Sequence, residues 1–320
     1  MAPKHKREQD QNPAQPIKRS KRLQQKNLPQ DGKEQSTQHK KQKEPKTAPK
    51  SILGGLKDPT LDSRVSASNA NSDTTFSVPY RNDKKIVCER HGNSDPASET
   101  KSKLIFTHGA GGGLANPATR LFAEGYGALS PVVCMQGTMN LKSRVDTFRT
   151  VVAHERGEKA SDEARALGGR SMGARAATIA ATEEYNDAEE GAEPLALVLV
   201  SYPLISGGAK GKGDVRDQIL YDLPEGTSVL FIVGIEDTQC PLPQLEGVIA
   251  KMKGKEVWLM EVQRADHSMS LKPKGAVEPL RRESGEIAAR WVSDRDYLTD
   301  KHVVLEWDEE REECVLGDPS

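Results

Sequence analysis

The chain is 320 residues long with a formal net charge of −1, enough for one large domain or two modest ones. That near-neutrality hides two opposed parts: the first fifty residues carry 14 Lys or Arg against 5 Asp or Glu, so an arm of +9 leaves −10 on the other 270 residues. Rich in Gln and Pro and almost without large apolar side chains, the arm cannot bury enough surface to offset its ordering entropy and is expected to be disordered, while the acidic remainder argues against a folded domain that grips nucleic acid by its own surface.

Within the arm, Lys6-Arg7 are followed after ten residues by Lys18-Arg19-Ser20-Lys21-Arg22, the two-cluster arrangement of a bipartite import signal. Residues 4–22 are therefore expected to engage a nuclear import receptor, which puts the protein in the nucleus, the cytoplasm or both. Lys, Gln and acidic residues without amphipathic periodicity fit a mitochondrial presequence poorly. The N-terminus lacks an apolar signal core, and no run approaches the ~18 apolar residues of a membrane span, so no membrane association is expected. Cys88, Cys134, Cys240 and Cys314 are widely spaced with no C-x-x-C pair, a pattern of reduced thiols rather than of a disulfide framework or zinc site.

Residues 51–75 are rich in Ser, Asn, Asp and Gly and read as a continuing linker, giving an arm and linker over 1–75. A folded domain is expected over 76–300. Its first short strands are Lys85–Cys88 and Lys103–Thr107, the second running into His108-Gly109-Ala110-Gly111-Gly112-Gly113. Asn116-Pro117 supplies an N-cap and a first-turn proline for a helix over 118–126. A strand at 131–135 precedes a helix at 141–153, whose Val145, Phe148, Val151 and Val152 recur at helical spacing. Ala166–Gly169 leads into Arg170-Ser171-Met172-Gly173 and a small-residue helix to Glu183. Continuous apolar runs at 195–200 and 228–233 are those of parallel strands buried on both faces, with a short helix near 214–221 between them. A helix at 243–252, a strand at 256–262 and a last helix at 276–292 follow, and 301–320 reads as an acidic tail. Alternating strands and helices define an α/β fold with a mostly parallel sheet and helices on both faces.

The chemistry gathers at strand ends, where open α/β sheets bind ligands. Gly169-Arg170-Ser171-Met172-Gly173 is a G-x-S-x-G sequence, in which a sharp strand-to-helix turn lifts the serine hydroxyl above the sheet; a side chain at either glycine would clash where strand and helix backbones converge. Serine needs a base, and the base an orienting carboxylate. Asp237 follows the strand ending at Val233 and His267 follows the strand ending near Val262, so nucleophile, acid and base come in the order Ser171, Asp237, His267. Glu236 is the alternative orienter, and Asp266, His108 and His302 are weaker competitors. An oxyanion would need preorganised N–H donors: the Met172 amide at a helix N-terminus is one, and the Ala110 amide, with Gly111 next, is the other. A dinucleotide turn at His108–Leu114 fails on spacing, since its third glycine would fall on Leu114 or Asn116, and no cofactor or metal is expected. Arg170 and Arg175 flank the serine. Arg170 either contacts an anionic substrate, as His108 is also placed to do, or pairs with an acidic neighbour while Arg175 supports helix packing.

The sequences Thr107-His108-Gly109-Ala110-Gly111, Gly168 to Arg175, the Asp237 loop and Ala265-Asp266-His267-Ser268 resemble the α/β-hydrolase superfamily. More narrowly they resemble the hydrolase-like family that includes a testis-expressed vertebrate protein and subunit 3 of the non-specific-lethal histone acetyltransferase complex. The resemblance spans roughly 103–292 and implies an α/β-hydrolase fold with a triad at Ser171, Asp237 and His267. Two functional expectations follow, the first from the set of nucleophile, base, orienter and oxyanion loop, the second from the charge-split chain and the resembling family's chromatin connection. One is an esterase or thioesterase working on a small acyl substrate through an acyl-enzyme. The other is a weakly active or inactive nuclear scaffold that binds chromatin-associated proteins. The short segment Ser201–Gly213, where related enzymes carry a cap, predicts an open site.

Overall fold

A computed structural model describes residues 74–92, 104–156, 166–206 and 213–319; the basic clusters and nearly all of the expected arm and linker lie outside the described residues. The fold starts with an antiparallel pair, β1 (Thr74–Tyr80) and β2 (Lys84–His91), after which strands and helices alternate. These are β3 (Leu104–Thr107), α1 (Pro117–Leu129), β4 (Val132–Met135), α2 (Leu141–Arg156), β5 (Ala166–Arg170), α3 (Met172–Asn186) and β6 (Ala196–Val200). They continue through α4 (Gln218–Tyr221), β7 (Ser228–Gly234), α5 (Leu242–Ile249), β8 (Glu256–Val262) and α6 (Val277–Ser293).

All ten strands, including β9 (His302–Asp308) and β10 (Glu313–Gly317), belong to one sheet ordered β1-β2-β4-β3-β5-β6-β7-β8-β9-β10. From β3 to β9 the pairing is parallel, and β3, β4, β5 and β6 are buried along their whole length, as helices on both faces require. On one face α2 and α3 bring Phe148, Val151, Ala177 and Ala180 against Leu167, Leu199 and Phe231. On the other, α1 and α6 bring Phe122, Tyr126, Ile287 and Trp291 against Phe106, Val198 and Trp258. These two helices cross at backbone contact: a Cβ on Gly285 would stand 2.1 Å from the Phe122 carbonyl oxygen, so only glycine fits. The Asn116 side chain caps α1 by accepting from the Ala118 amide at 3.0 Å, with Pro117 in the first turn, a local arrangement that the sequence predicts.

Strand order places the site. The chain passes from β3 to β4 on one side and returns to β5 on the other, a topological switch at which a crevice opens beyond the strand ends. Thr107 pairs with Gly169, so the His108 loop leaves the sheet beside Arg170 and Ser171. Gly234 pairs with Val262, so the Asp237 and His267 loops leave it together.

Two expectations require correction. Residues 301–320, expected as an acidic tail, instead form β9 and β10: β9 runs parallel to β8 from Leu259↔His302 to Val262↔Leu305, and β10 closes the edge antiparallel to β9. Acidic residues on the exposed positions mask a buried Val303-Val304-Leu305 run, and the domain extends accordingly. At the other edge β1 has no counterpart among the predicted strands, because it buries little beyond Val78. Cys88, Cys134 and Cys240 are buried and Cys314 is half-buried, with no disulfide joining them; burial pushes the Cys88 thiol up to about 12 and raises that of Cys240 as well. Among the described residues no helix is long and apolar enough to cross a membrane.

Burying Val303, Val304 and Leu305 contributes on the order of 5 kcal/mol, a large share of a typical domain's net stability. Truncation after Asp300 is therefore expected to abolish cooperative thermal unfolding. A truncated chain melting within a few degrees of the full-length protein would show that the last two strands are dispensable.

Candidate active site

Ser171 occupies the turn between β5 and α3 with φ 53° and ψ −117°, a conformation that costs a non-glycine residue on the order of 1–3 kcal/mol and persists only when its surroundings impose it. The surroundings are backbone. A Cβ on Gly169 would lie 2.4 Å from the Gly173 carbonyl carbon, and one on Gly173 would lie 2.5 Å from the Thr107 oxygen. Both glycines of the G-x-S-x-G sequence are thus set by the packing of β5, α3 and β3.

His267 Nε2 stands 2.9 Å from Ser171 Oγ, and its Nδ1 stands 2.8 and 3.0 Å from the two oxygens of Asp237. Asp237 is 2% exposed and can only accept, so Nδ1 carries the proton and Nε2 turns its lone pair to the serine hydroxyl. A carboxylate this deeply buried needs more than one donor; the Gln239 amide supplies another at 2.8 Å. Glu236 is exposed, so of the two adjacent acids only Asp237 faces the histidine. Asp266 accepts from the Ser268 and Ser270 amides at 2.7 and 3.0 Å, shaping the turn that carries His267. Arg281 braces the same turn by donating to the Met269 and Ser268 carbonyls at 3.0 and 2.9 Å. His302 lies away on β9, 2.6 Å from Glu261.

The two expected substrate contacts are placed differently. His108 is 2% exposed. Its Nε2 accepts from the Gly137 amide at 3.0 Å, which leaves the proton on Nδ1 to be donated to the Gly109 carbonyl at 2.6 Å; Gln136 Nε2 lies 2.8 Å from the same Nε2. With both nitrogens engaged, His108 holds its loop and does not face a ligand. Burial, and then the nearby Arg144 cation, lower its pKa. Arg170 is 8% exposed and donates from Nη2 to the His267 carbonyl at 2.6 Å. It ties β5 to the histidine loop rather than pairing with an acid, the arrangement expected of it if it did not contact substrate. Burial lowers its pKa, opposed by Asp237 and Asp266. Arg175 is partly buried beside Arg216 and Tyr202, with burial as the main cause of its own lowered pKa.

Met172 opens α3 directly after the serine, and Ala110 lies exposed in the loop after β3. No acceptor among the described residues takes either amide. The loop rests on the serine turn: a Cβ on Gly109 would stand 3.5 Å from Ser171 Cβ and 3.0 Å from Arg170 Nη1. Arg144, Gln136 and Gly137, which anchor this loop, were not among the candidates from sequence. A signal was present, since Arg144 falls four residues before Phe148 and seven before Val151 on the apolar stripe of α2, where a charge needs a reason. Among the described residues no group of His, Cys, Asp and Glu could hold a metal ion.

A strained serine on a strand-to-helix turn, a histidine after the penultimate parallel strand and an acid after the strand before it, all along one parallel sheet edge, define the α/β-hydrolase fold. A family model described as an alpha/beta hydrolase domain matches residues 138–290, a span that includes Ser171, Asp237 and His267. Among solved structures, Est1E from Butyrivibrio proteoclasticus is similar with a TM-score of 0.52 at 12% identity, over 69% of this chain and 99% of that one. An esterase from Pyrobaculum calidifontis is similar with a TM-score of 0.51 at 14% identity, over 70% and 85%. At such identities the likeness is one of fold, and the fold is that of an α/β hydrolase.

The lowered pKa of His108 has a consequence for stability. The unfolded chain takes up a proton on this residue near its usual 6.5, whereas the fold favours the neutral ring. Its contribution is complete above that pH and declines as pH falls through the window down to the folded-state pKa. Urea denaturation between pH 7.5 and 5 is expected to show a steeper loss for the wild type than for His108→Gln; equal slopes would contradict the buried neutral histidine.

Proposed function

We propose that this protein is a serine hydrolase that cleaves ester or thioester bonds of small acyl substrates through an acyl-enzyme on Ser171. The observation that carries the reading is the unbroken hydrogen-bonded series from Ser171 Oγ through His267 to Asp237, with the serine held in a strained backbone conformation. As Oγ attacks the substrate carbonyl, His267 Nε2 takes its proton, and the Asp237 carboxylate stabilises the resulting imidazolium. The carbonyl oxygen becomes an oxyanion, for which the Met172 and Ala110 amides are the proposed donors. His267 then returns the proton to the departing alcohol or thiol, leaving an acyl ester on Ser171. Water, deprotonated by the same nitrogen, attacks that ester and releases the acid.

The substrate range follows from what stands over the serine. Between β6 and β7 the described residues hold only the four-residue α4 and one antiparallel bridge, Ile205↔Val215, with residues 207–212 outside them. A connection this short favours an open site and short or polar acyl groups over long chains. The similar Pyrobaculum protein is an esterase, and Est1E is recorded with ferulic acid bound, which agrees with ester chemistry on this fold.

A fluorophosphonate probe is expected to label the wild type and to leave Ser171→Ala unlabelled. Asp237→Asn is expected to lower kcat on a p-nitrophenyl ester by about 10⁴-fold, the loss seen when the orienting acid is removed from such a triad. Equal labelling of wild type and Ser171→Ala, or of neither, would defeat the proposal.

The scaffold alternative draws on the spacing of the basic clusters at Lys6-Arg7 and 18–22. If these residues address the protein to the nucleus and its chromatin-associated proteins, deleting residues 1–50 moves a fluorescent fusion from nucleus to cytoplasm. A distribution indifferent to the deletion removes the motive for that reading.

A further inference from the structure

Arg144 is a cation buried completely in the first turn of α2, and it has no carboxylate partner among the described residues. Its donors go to backbone carbonyls instead. Nε donates to the Thr138 oxygen at 2.8 Å, while Nη1 donates to the carbonyls of both His108 and Gly109, the latter at 3.1 Å. Nη2 is buried with no hydrogen-bond partner. Burial alone lowers its pKa, to about 10, so the group remains charged at neutral pH. Space for it is provided by Gly137, where a Cβ would come within 2.5 Å of Arg144 Nε. A buried charge without a counter-ion is among the costlier features a fold can carry; a leucine or methionine would fill the same stripe of α2 without that cost.

What the charge does follows from the planarity of the peptide group. In a trans peptide the C=O and the following N–H point in opposite directions. The Gly109 oxygen is held from one side by Arg144 Nη1 and by His108 Nδ1 at 2.6 Å, which turns the Ala110 N–H to the side away from the guanidinium. The His108 oxygen on the same Nη1 fixes the preceding peptide in the same way. A cation on the carbonyl end of a peptide also polarises it, making the N–H at its other end a stronger donor. The loop so held rests against the serine turn, and the Ala110 amide has no acceptor among the described residues.

We propose that Arg144 is a positioning residue for catalysis: by gripping the His108 and Gly109 carbonyls from beneath the loop, it orients and polarises the Gly109–Ala110 peptide so that its N–H meets the oxyanion formed at Ser171. The proposal rests on the serine-hydrolase reading for its consequence in rate, but not for its consequence in structure. Because the oxyanion exists only after attack, loss of Arg144 lowers kcat and leaves KM nearly unchanged.

The test uses the full chain with Arg144→Met, which keeps length and removes charge, and Arg144→Lys, which keeps charge and loses the fork. Each variant is assayed for kcat and KM on p-nitrophenyl acetate, for melting temperature, and by crystallography at the Gly109–Ala110 peptide. Arg144→Met is expected to lower kcat by about 10²–10³-fold, the loss that follows removal of one oxyanion donor, with KM within about threefold of the wild type. Arg144→Lys is expected to recover at least tenfold of that loss, and the peptide is expected to rotate in the Met variant. A kcat within about threefold of wild type in a folded Met variant, or an unmoved Gly109–Ala110 peptide in its crystal structure, overturns the proposal, as does a KM that rises while kcat holds. If the Met variant does not fold, Arg144→Lys carries the test: a displaced peptide with lowered kcat supports the proposal, and an unmoved peptide with full kcat overturns it. A wild type that neither turns over the ester nor reacts with a fluorophosphonate defeats the hydrolase reading alone, and the peptide orientation in the variants then decides for or against Arg144 as the group that sets it.

Discussion

The close approach of three backbones at the carboxyl edge of the sheet is the constraint on which the rest depends. β3, β5 and the first turn of α3 meet at Gly169, Gly173 and Thr107 with no room for a single added carbon. That contact holds Ser171 in a backbone conformation it would not adopt alone, and it presses the loop after β3 against the serine. It also places the serine at the start of a fifteen-residue helix, whose unpaired N–H groups favour negative charge. The small-residue face of α3, with Ala174, Ala177 and Ala180 fully buried, extends the same close packing along the sheet.

Around this contact the protein arranges two buried polar systems with different chemistry. On one side, a buried carboxylate fixes the tautomer of His267, and the histidine loop is held by Arg170, Arg281 and the Asp266 turn. On the other, a buried arginine and a neutral histidine fix the peptides after β3 through their carbonyls. Both spend stability on buried polar groups in order to hold a few atoms in one geometry, as a preorganised site requires. The partition follows strand order, since the topological switch between β3 and β5 separates the two systems and leaves Ser171 between them.

Much of this was legible in the sequence. The interior strands were readable because parallel strands covered on both faces become continuous apolar runs, and α1 announced itself through Asn116-Pro117. The edges were harder. β1 and β10 bury one face at most and β9 is buried only over Val303–Leu305, so their patterns are mixed, and the acidic residues of β9 and β10 gave the impression of a solvated tail. His108 and Arg170 invited a reading as ligand contacts because polar residues beside a glycine-rich turn are often exposed; the packing of α2 and of the His267 loop buries both.

The sequence alone determined the local geometry: the glycine-flanked turn, the helix start after it, and the order in which serine, acid and histidine follow their strands. These are properties of short windows, governed by sterics and by the period of apolar residues. Tertiary structure alone decided the partners. Asp237 rather than Glu236 faces His267, the Gly109 carbonyl turns to Arg144, and residues 302–317 complete the sheet, because each depends on which strands lie side by side and in what register. Hydrogen bonds across thirty to a hundred residues depend on that through-space pairing, which no local pattern specifies.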